Sequence, residues 1–250
     1  MSYRFPSCRL LLVGLAFLFA LAPGLAKACE LRVGWDEWPP YFTHKEGQFH
    51  GLEYDRLKST ADAAGCKLDW WQIPWARALN MLRTSELDLL YGAGYSAERA
   101  EFAKFSLPYR EERFVLVARA GAGKADSISL NDWIRPEEPG RHPRAIGVFR
   151  GNVYGEQIER ILRNNENVTL VELSENDQMI GMLEAGRLDG YIIEDYVAEL
   201  QLQKASSSVR RYVIKEQTAD SLHYMFSLQV ADDVVERFNA AIRTRPLPGQ

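Results

Sequence analysis

The segments "MLRTSELDLLYG" (residues 81–92) and "MLEAGRLDGYII" (residues 182–193) carry Met, Leu, Leu and Asp at the same four positions. Each segment begins with the periodicity of an amphipathic helix and ends in an apolar run with the length of a buried strand. The same helix-to-strand joint therefore occurs once in each half of the chain. We interpret this repetition as a sign of two lobes with similar folds.

The sequence around each joint alternates strand-like and helix-like segments. In the first half these are LRVGW, GLEYDRLKSTADAAG, KLDWWQI, WARALNML and LDLLYG. In the second half they are RAIGVF, YGEQIERILRN, VTLVEL, SENDQMIGMLEAG, LDGYII and DYVAELQLQK. We expect Ser174 to be the N-cap of the helix that leads into the second joint. Such alternation predicts parallel strands connected by helices, which is the arrangement of α/β proteins.

The expected fold is therefore a two-lobed α/β fold, each lobe having a mostly parallel sheet flanked by helices. We assign residues 29–112 and 221–250 to lobe 1 and residues 113–220 to lobe 2. The segments HYMFSL and DDVVERFNAAI return to lobe 1, so the chain crosses twice between the lobes. Two crossings form a hinge, and a hinge between two lobes creates a cleft.

Residues 1–28 have the composition of a secretory signal peptide. Arg4 and Arg9 precede the apolar run LLLVGLAFLFALA, and the small residues of AKA surround the expected cleavage site. We therefore expect export to the periplasm. A lipid anchor at Cys29 is the alternative. Because Lys27 stands where lipoprotein signals have a small or apolar residue, a soluble product is the preferred interpretation.

The charge of the chain argues against two classes of partner. Without the predicted signal peptide, which has three basic residues and no acidic one, the formal charge falls from −4 to about −7. Nucleic acid and anionic membranes are bound by clustered positive charge. We expect neither as a partner.

Two cysteines outside the signal peptide predict a disulfide. Cys29 and Cys66 each stand directly before a strand-like run. If these strands are parallel neighbours, both cysteines lie at the same sheet edge in matched register. Export to an oxidising compartment then favours a bond between them, the alternative being two free thiols. The sequence has no CxxC motif or spaced histidine pair that would indicate a metal site.

The segment "YSAERAEFAKFSLPY" (residues 95–109) contains an arginine whose position calls for an anion. Ser96 is a suitable N-cap, and Arg99 falls in the first turn of the short helix that follows, where a cation opposes the helix dipole. Arg99 follows the strand of the first joint, whereas Glu194 and Asp195 follow the strand of the second. Ligands of open parallel sheets bind beyond the carboxyl ends of the strands, so a small zwitterion between the lobes would satisfy both charges. In the alternative interpretation Arg99 pairs with a neighbouring glutamate on the surface.

At these residues the chain resembles the periplasmic solute-binding proteins of family 3, which serve ABC importers of polar amino acids. The resemblance extends from about Leu31 to Ile242. It rests on the segments LRVGWDEWPPYF, GQFHGLEYDRL, ELDLL, SAERAEFAKFSLPY, GVFRGN and EAGRLDGYIIED in this order.

The resemblance implies binding roles for particular residues. Arg99 is expected to bind the ligand carboxylate, and Trp38 is expected to pack on the ligand. Gly151 and Asn152 stand where the family has a helix N-terminus that contributes backbone donors, and Asn152 also suits an N-cap. An acidic residue after the second joint is expected to bind the ligand amine.

Three points of this assignment stay open in the sequence. Glu194 has the family's spacing for the amine-binding acid, and Asp195 lies one position beyond it. The loop before Arg99 is one residue shorter than usual and has a glycine where a hydroxyl is common, which leaves space near Tyr95. Arg77 either reaches the cleft or points to solvent.

The function implied by the resemblance is capture of a small polar solute, expected to be an amino acid, by closure of the lobes. The closed protein, a monomer, would deliver the solute to an ABC permease of the inner membrane. We predict no catalytic residue, no cofactor and no metal. The alternatives are a periplasmic dehydratase of the same fold, with Glu194 as acid or base, and a sensory binding protein that contacts a receptor.

Overall fold

The computed structural model describes residues 29–121, 126–135, 142–163, 165–206, 208–217 and 219–244. The predicted signal peptide lies outside the described residues. None of the helices within these ranges is long and apolar enough to cross a lipid bilayer.

The first sheet is formed mainly by the N-terminal part of the chain. Its strands are β1 (Cys29–Trp35), β4 (Cys66–Gln72), β5 (Leu89–Gly94), β6 (Ala103–Phe105), β7 (Arg110–Glu112) and β14 (Asp220–Ser227). They are arranged in the order β4-β1-β5-β14-β6, with β7 also paired to β14. Strand β1 is parallel to β4 and β5, whereas β14 is antiparallel to β5, β6 and β7. A small hairpin of β2 (Thr43–Lys45) and β3 (Gln48–His50) stands beside it.

The second sheet is formed by the middle of the chain. Its strands are β8 (Phe114–Arg119), β9 (Ser127–Ile128), β10 (Arg144–Phe149), β11 (Val168–Leu173), β12 (Gly190–Glu194) and β13 (Val209–Ile214). Their order is β11-β10-β12-β8-β13-β9. Strand β10 is parallel to β11 and β12, and β8 is antiparallel to β12 and β13. Both sheets are thus mixed, and in each the antiparallel strands include those by which the chain passes from one sheet to the other.

Helices cover both faces of each sheet. Those of the first sheet are α1 (Leu52–Ala63), α2 (Trp75–Arg83), α3 (Ala97–Ala100) and α8 (Asp232–Arg243). Those of the second sheet are α4 (Leu130–Ile134), α5 (Glu156–Arg163), α6 (Asn176–Glu184) and α7 (Asp195–Leu202). Buried residues of α1 and α8 share one apolar cluster, and those of α2 belong to another on the opposite face of the first sheet. The same division separates α4 and α5 from α6 and α7.

The two repeated joints form the same local structure. Helix α2 is followed by Ser85 at φ 61°, and helix α6 by Gly186 at φ 72°. The backbone therefore passes through the left-handed region at the same position of both repeated segments. In each joint the next residue donates its N–H to the carbonyl of the repeated methionine, Met81 or Met182, at 2.8 Å. These bonds are those of a Schellman motif, which satisfies carbonyls at a helix end.

The repeated aspartates connect each joint to the neighbouring strand. The N–H of Asp88 donates to the carbonyl of Arg32 at 2.9 Å, and the Asp88 carboxylate accepts from the N–H of Arg32 at 2.9 Å. Asp189 makes the same two bonds with Ala145, each at 2.8 Å. A side chain that continues the hydrogen bonding of the sheet explains why aspartate recurs at both joints. The repeat is therefore present in the structure as well as in the sequence.

The start of α6 differs from the prediction. Its N-cap is Glu175, without a side-chain capping bond, and the helix begins at Asn176. Ser174 was expected to be the N-cap and instead lies one residue before it.

The predicted disulfide is confirmed. Cys29 and Cys66 are paired in the parallel register of β1 and β4, with their Cα atoms 4.5 Å apart, and their sulfur atoms are bonded. The bond closes a loop with a sequence separation of 37 residues, which contains α1 and the β2–β3 hairpin.

We predict that removal of the disulfide lowers the free energy of unfolding by about 3–4 kcal/mol. The bond restricts the conformations of the unfolded chain, so its removal raises the entropy of the unfolded state. The Cys29→Ser, Cys66→Ser double variant should show this loss in urea unfolding at equal protein concentration. Mass spectrometry of the unreduced protein should find no free thiol at either position. Alkylation of both cysteines without prior reduction would contradict the prediction.

Candidate functional site

A cavity lies between the two sheets, at the carboxyl ends of β1, β5, β10 and β12. It encloses about 820 Å³ of empty space, counted out to its mouth. Its charged lining residues are Asp36, Glu37, Arg99, Glu112 and Glu194. Aromatic and aliphatic side chains from both sheets form most of the remaining wall. Position and lining are those of a ligand site at the carboxyl ends of parallel strands.

Arg99 reaches the cavity from the short helix α3. Ser96 caps this helix by accepting the N–H of Arg99 at 3.2 Å, as predicted from the sequence. Arg99 is 5% exposed, and its guanidinium donates Nη1 to the carbonyl of Gly94 at 2.6 Å and Nη2 to the carbonyl of Gly151 at 2.7 Å. The ring of Trp75 lies 5.6 Å away. The bond to Gly151 connects the first sheet's side of the cavity with the second.

The charge of Arg99 is only partly balanced by the protein. Among the residues that the structure describes, no carboxylate forms an ion pair with it, and Glu98 faces Arg83 at 3.7 Å instead. Burial lowers the pKa of Arg99 to about 10, a shift that the charge of Glu112 opposes. The guanidinium remains cationic at neutral pH. Arg99 is thus a buried cation at a cavity wall rather than a surface residue paired with a neighbour.

Glu194 is the acid that the second sheet brings to the cavity. It is 8% exposed and forms the N-cap of α7, its Oε2 accepting the N–H of Val197 at 2.9 Å. Its Oε1 accepts the hydroxyl proton of Tyr41, from the other side of the cavity, at 2.9 Å. Asp195 does not line the cavity and forms an ion pair with Arg211. Of the two acids, Glu194 therefore lines the cavity and Asp195 does not.

Trp38 lines the cavity, and Gly92 makes room for its ring. A Cβ atom on Gly92 would lie 2.6 Å from Cζ3 of Trp38, and Gly92 also has a φ of +63°. The Trp38 ring lies 4.8 Å from that of Tyr41. The glycine that ends the first repeated segment is therefore required by the path of the backbone and by the indole beside it.

The loop after β10 brings Gly151 and Asn152 to the cavity, but not as a helix N-terminus. Asn152 lines the cavity, whereas the Gly151 carbonyl accepts the Arg99 guanidinium and, at 3.3 Å, the indole N–H of Trp75. Helix α5 begins only at Glu156. The expected helix cap at Asn152 is thus wrong, because three further residues continue as a loop before the helix begins.

Tyr95 and Arg77 lie away from the cavity wall. Tyr95 is 56% exposed and its ring packs on Phe105 at 5.1 Å. Arg77 lies on the exposed face of α2. Neither is among the residues that line the cavity. The space expected near Tyr95 is instead closed by Val153, whose side chain lies 2.8 Å from the position of a Cβ on Gly94.

Glu112 lines the cavity and was missed by the sequence analysis. It is 8% exposed, on strand β7. Burial raises its pKa to about 8, partly offset by Arg110. The local sequence does not distinguish Glu112 from Glu111, and only the packing of β7 buries Arg110 and Glu112 while Glu111 between them stays exposed. Two charged residues at the buried positions of a strand indicate a polar site.

A buried ion pair supports this wall of the cavity. Glu53 is fully buried, and its Oε1 accepts from Nε of Arg110 at 2.8 Å, whereas its Oε2 accepts the hydroxyl proton of Tyr109 at 2.6 Å. The Arg110 guanidinium lies 4.2 Å from the ring of Tyr41. The Tyr109 hydroxyl accepts the N–H of Gly92 at 2.7 Å. The ion pair therefore positions the backbone and the rings that shape the cavity.

The electrostatics of the cavity are dominated by carboxylates. Four acidic residues and one arginine contribute to its lining. Burial also raises the pKa of Asp36. Within the described residues, no group of three or more His, Cys, Asp or Glu is arranged to hold a metal ion.

Comparison with known proteins identifies the fold. A structure of AbpA from Streptococcus pneumoniae, an amino acid ABC transporter substrate-binding protein bound to L-arginine, aligns with a TM-score of 0.68 at 21% identity, over 86% of this chain and 88% of that one. ArtJ from Geobacillus stearothermophilus, an arginine-, lysine- and histidine-binding protein, aligns with a TM-score of 0.69 at 19% identity, over 86% and 88%.

The holo form of ArgBP from T. maritima aligns with a TM-score of 0.68 at 18% identity, over 86% of this chain and 89% of that one. No curated protein sequence matches the chain at a significant level. The model of the bacterial extracellular solute-binding proteins, family 3, matches residues 31–244. The two-lobed α/β fold predicted from the repeated joints is thereby confirmed, and the chain belongs to the bacterial extracellular solute-binding proteins of family 3.

Proposed function

We propose that the protein binds a small amino acid between its lobes in the periplasm and delivers it to an ABC importer. The observation that carries this proposal is the buried guanidinium of Arg99, which has no carboxylate partner among the described residues and lies at a cavity that Glu194 also lines. A ligand with one carboxylate and one ammonium group would balance both side chains.

The chemistry of Arg99 suits a carboxylate better than the carbonyls that it contacts. A guanidinium can donate two parallel hydrogen bonds to a carboxylate, and these charge-assisted bonds are roughly twice as strong as neutral ones. In a cavity with apolar walls the interaction is screened less than in water. The ligand would thus supply the anion that the position of Arg99 called for.

The role proposed for the lobes follows from the bonds that cross between them. Tyr41 donates to Glu194, and both Arg99 and Trp75 donate to the carbonyl of Gly151. These bonds support a closed form, in which we propose that residues 29–112 and 221–250 form one lobe and residues 113–220 the other. We propose that these bonds break on opening, and that ligand shifts the population toward the closed form.

The proposed ligand class agrees with the walls of the cavity. Aromatic and aliphatic side chains surround a small number of charged groups, which is typical of small-molecule sites. Two of the structures with the same fold contain arginine or belong to an arginine-, lysine- and histidine-binding protein. We infer an amino acid as the solute on the basis of the site, with these proteins as support.

A binding role without catalysis also fits the state of Glu194. Both of its carboxylate oxygens already accept hydrogen bonds, from Tyr41 and from the N–H of Val197. A carboxylate held in this way still has acceptor capacity for an ammonium group. A dehydratase would convert a cyclic acid such as prephenate, and incubation with the purified protein should yield no product.

The remaining parts of the proposal concern the protein's location and partners. The composition of residues 1–28 supports a cleavable signal peptide and a periplasmic location. Membership of a family of extracellular solute-binding proteins supports an ABC permease as partner. We propose that the protein acts as a monomer, each chain having a complete cavity.

The binding proposal predicts that calorimetry with the L-amino acids finds at least one ligand. Binding should require the α-carboxylate, because Arg99 would otherwise stay buried without an anion. The matched comparison is between each bound amino acid and its amide, which lacks the carboxylate charge. Equal affinity for an amino acid and its amide, or no binding of any amino acid after extensive dialysis, would contradict the proposal.

Replacement of Arg99 should harm binding much more than folding. We expect Arg99→Ala to lose about 2–5 kcal/mol of binding free energy, because the ligand carboxylate would be left desolvated and unpaired. This corresponds to an affinity loss of roughly 30-fold to several thousand-fold. Arg99→Lys should recover only part of the loss, since an ammonium group lacks the planar two-point geometry.

Calorimetry with the amino acid found above measures this loss, and thermal melts without ligand measure the effect on folding. Arg77→Ala is the matched control, since Arg77 is exposed outside the cavity, and its affinity should equal that of the wild type. Unchanged binding by Arg99→Ala, or a loss confined to thermal stability, would show that the arginine is structural.

Trp38 should report ligand binding by its fluorescence. We expect the amino acid to change the emission of the wild type and the change to shrink strongly in Trp38→Phe, because the indole lines the cavity. Trp71→Phe serves as the control, since Trp71 is 39% exposed and is not a lining residue. A full response in Trp38→Phe would place the aromatic contact at another residue.

A further inference from the structure

We propose that Glu112 selects ligands that carry a second cationic group besides the α-ammonium, and that it loses a proton when such a ligand binds. This inference rests on the proposed function, because it assigns the carboxylate of the ligand to Arg99 and the α-ammonium to Glu194. It concerns the remaining acidic wall of the same cavity.

Glu112 is a buried carboxyl group without a partner in the described parts of the chain. It is 8% exposed and lines the cavity. No hydrogen bond or ion pair of its side chain is formed with the described residues. A buried carboxyl group without such bonds is costly, unless it is neutral or a ligand supplies the missing charge.

Neither of the two arginines that interact electrostatically with Glu112 forms an ion pair with it among the described residues, although Nη2 of Arg110 is buried without a hydrogen-bond partner. Arg110 donates Nε to Glu53 at 2.8 Å and Nη1 to the carbonyl of Glu111 at 3.5 Å. Arg99 donates to the carbonyls of Gly94 and Gly151. The protein thus surrounds Glu112 with charge but gives it no direct cationic partner.

The charge balance of the cavity leads to the same conclusion. An amino acid with a neutral side chain would balance Arg99 and Glu194 and place no cation beside the other lining acids, Asp36, Glu37 and Glu112. Of these three, Glu112 is the buried one, so it alone cannot exchange this missing cation for contact with solvent. A ligand with a guanidinium or ammonium group in its side chain would balance it. Aromatic walls such as Trp38 and Phe114 also suit a cation, whose charge is attracted to ring faces.

The environment of Glu112 predicts a proton release. Arg110 and Arg99 face it with positive charge, and Glu194, Glu53 and Asp220 face it with negative charge. Because burial raises its pKa to about 8, the group is mostly protonated in the empty cavity at pH 7. A bound cation lowers this pKa, so the carboxyl proton passes to solvent. Affinity for the cation should therefore rise as the pH increases toward about 8 and level off above it.

Two pairs of probes test the selection. L-Arginine is compared with L-citrulline, and L-lysine with L-norleucine, because each pair differs mainly in the side-chain charge. We expect the cationic member of at least one pair to bind about tenfold or more tightly than its neutral counterpart. In Glu112→Gln this preference should fall to within about threefold, while the affinity for the neutral member changes little.

Calorimetry in phosphate and in Tris tests the proton release. The two buffers differ in ionisation enthalpy, so a released proton makes the measured binding enthalpy differ between them. We expect this difference for the cationic probe at pH 7, its decrease above pH 8, and its loss in Glu112→Gln. Glu111→Gln is the matched control, since Glu111 is exposed on the same strand. Thermal melts without ligand establish that both variants are folded.

Each other outcome overturns a distinct part of the proposal. Equal affinity within both pairs, with binding still dependent on Arg99, contradicts the selection by charge and leaves the proposed function intact. A cationic preference that survives in Glu112→Gln assigns the selection to another acid. If none of the four probes binds and no other amino acid does, the proposed function fails, and the inference fails with it.

Discussion

The buried ion pair between Glu53 and Arg110 is the interaction on which the site depends. It connects the first turn of α1 with strand β7, in a region where both side chains are almost completely removed from solvent. Breaking such a pair from one side costs about 3–5 kcal/mol, because the remaining charge stays buried. Neither residue can therefore be replaced without disturbing the groups that each of them holds.

Those groups form one wall of the cavity. Glu53 holds the hydroxyl of Tyr109, which in turn accepts the N–H of Gly92, the residue that makes room for Trp38. Arg110 lies against the ring of Tyr41, whose hydroxyl binds Glu194 of the other sheet. The ion pair thus holds in place the groups that form the first sheet's side of the site.

The proposed closure would rest on few polar contacts. Tyr41 reaches Glu194, and Arg99 and Trp75 share the carbonyl of Gly151. A small set of bonds would allow reopening, because each net hydrogen bond contributes only about 0.5–1.5 kcal/mol. The buried cation at the cavity wall acts in the same direction. Without a ligand anion, the closed form keeps the charge of Arg99 desolvated and without a carboxylate partner among the described residues.

The sequence by itself determined the repeated joints, the α/β fold class and the disulfide. These features depend on neighbouring residues or on strand register, as with the left-handed turn after each helix and Cys29 opposite Cys66. Only the tertiary structure decided that Glu194 and not Asp195 faces the cavity, that Arg77 and Tyr95 do not, and that Glu112 does. The physical reason is the distance along the chain between the residues that meet at the cavity. A cavity wall is assembled from side chains far apart in the chain, and which of them meet depends on how two lobes and their loops pack, which no local pattern encodes.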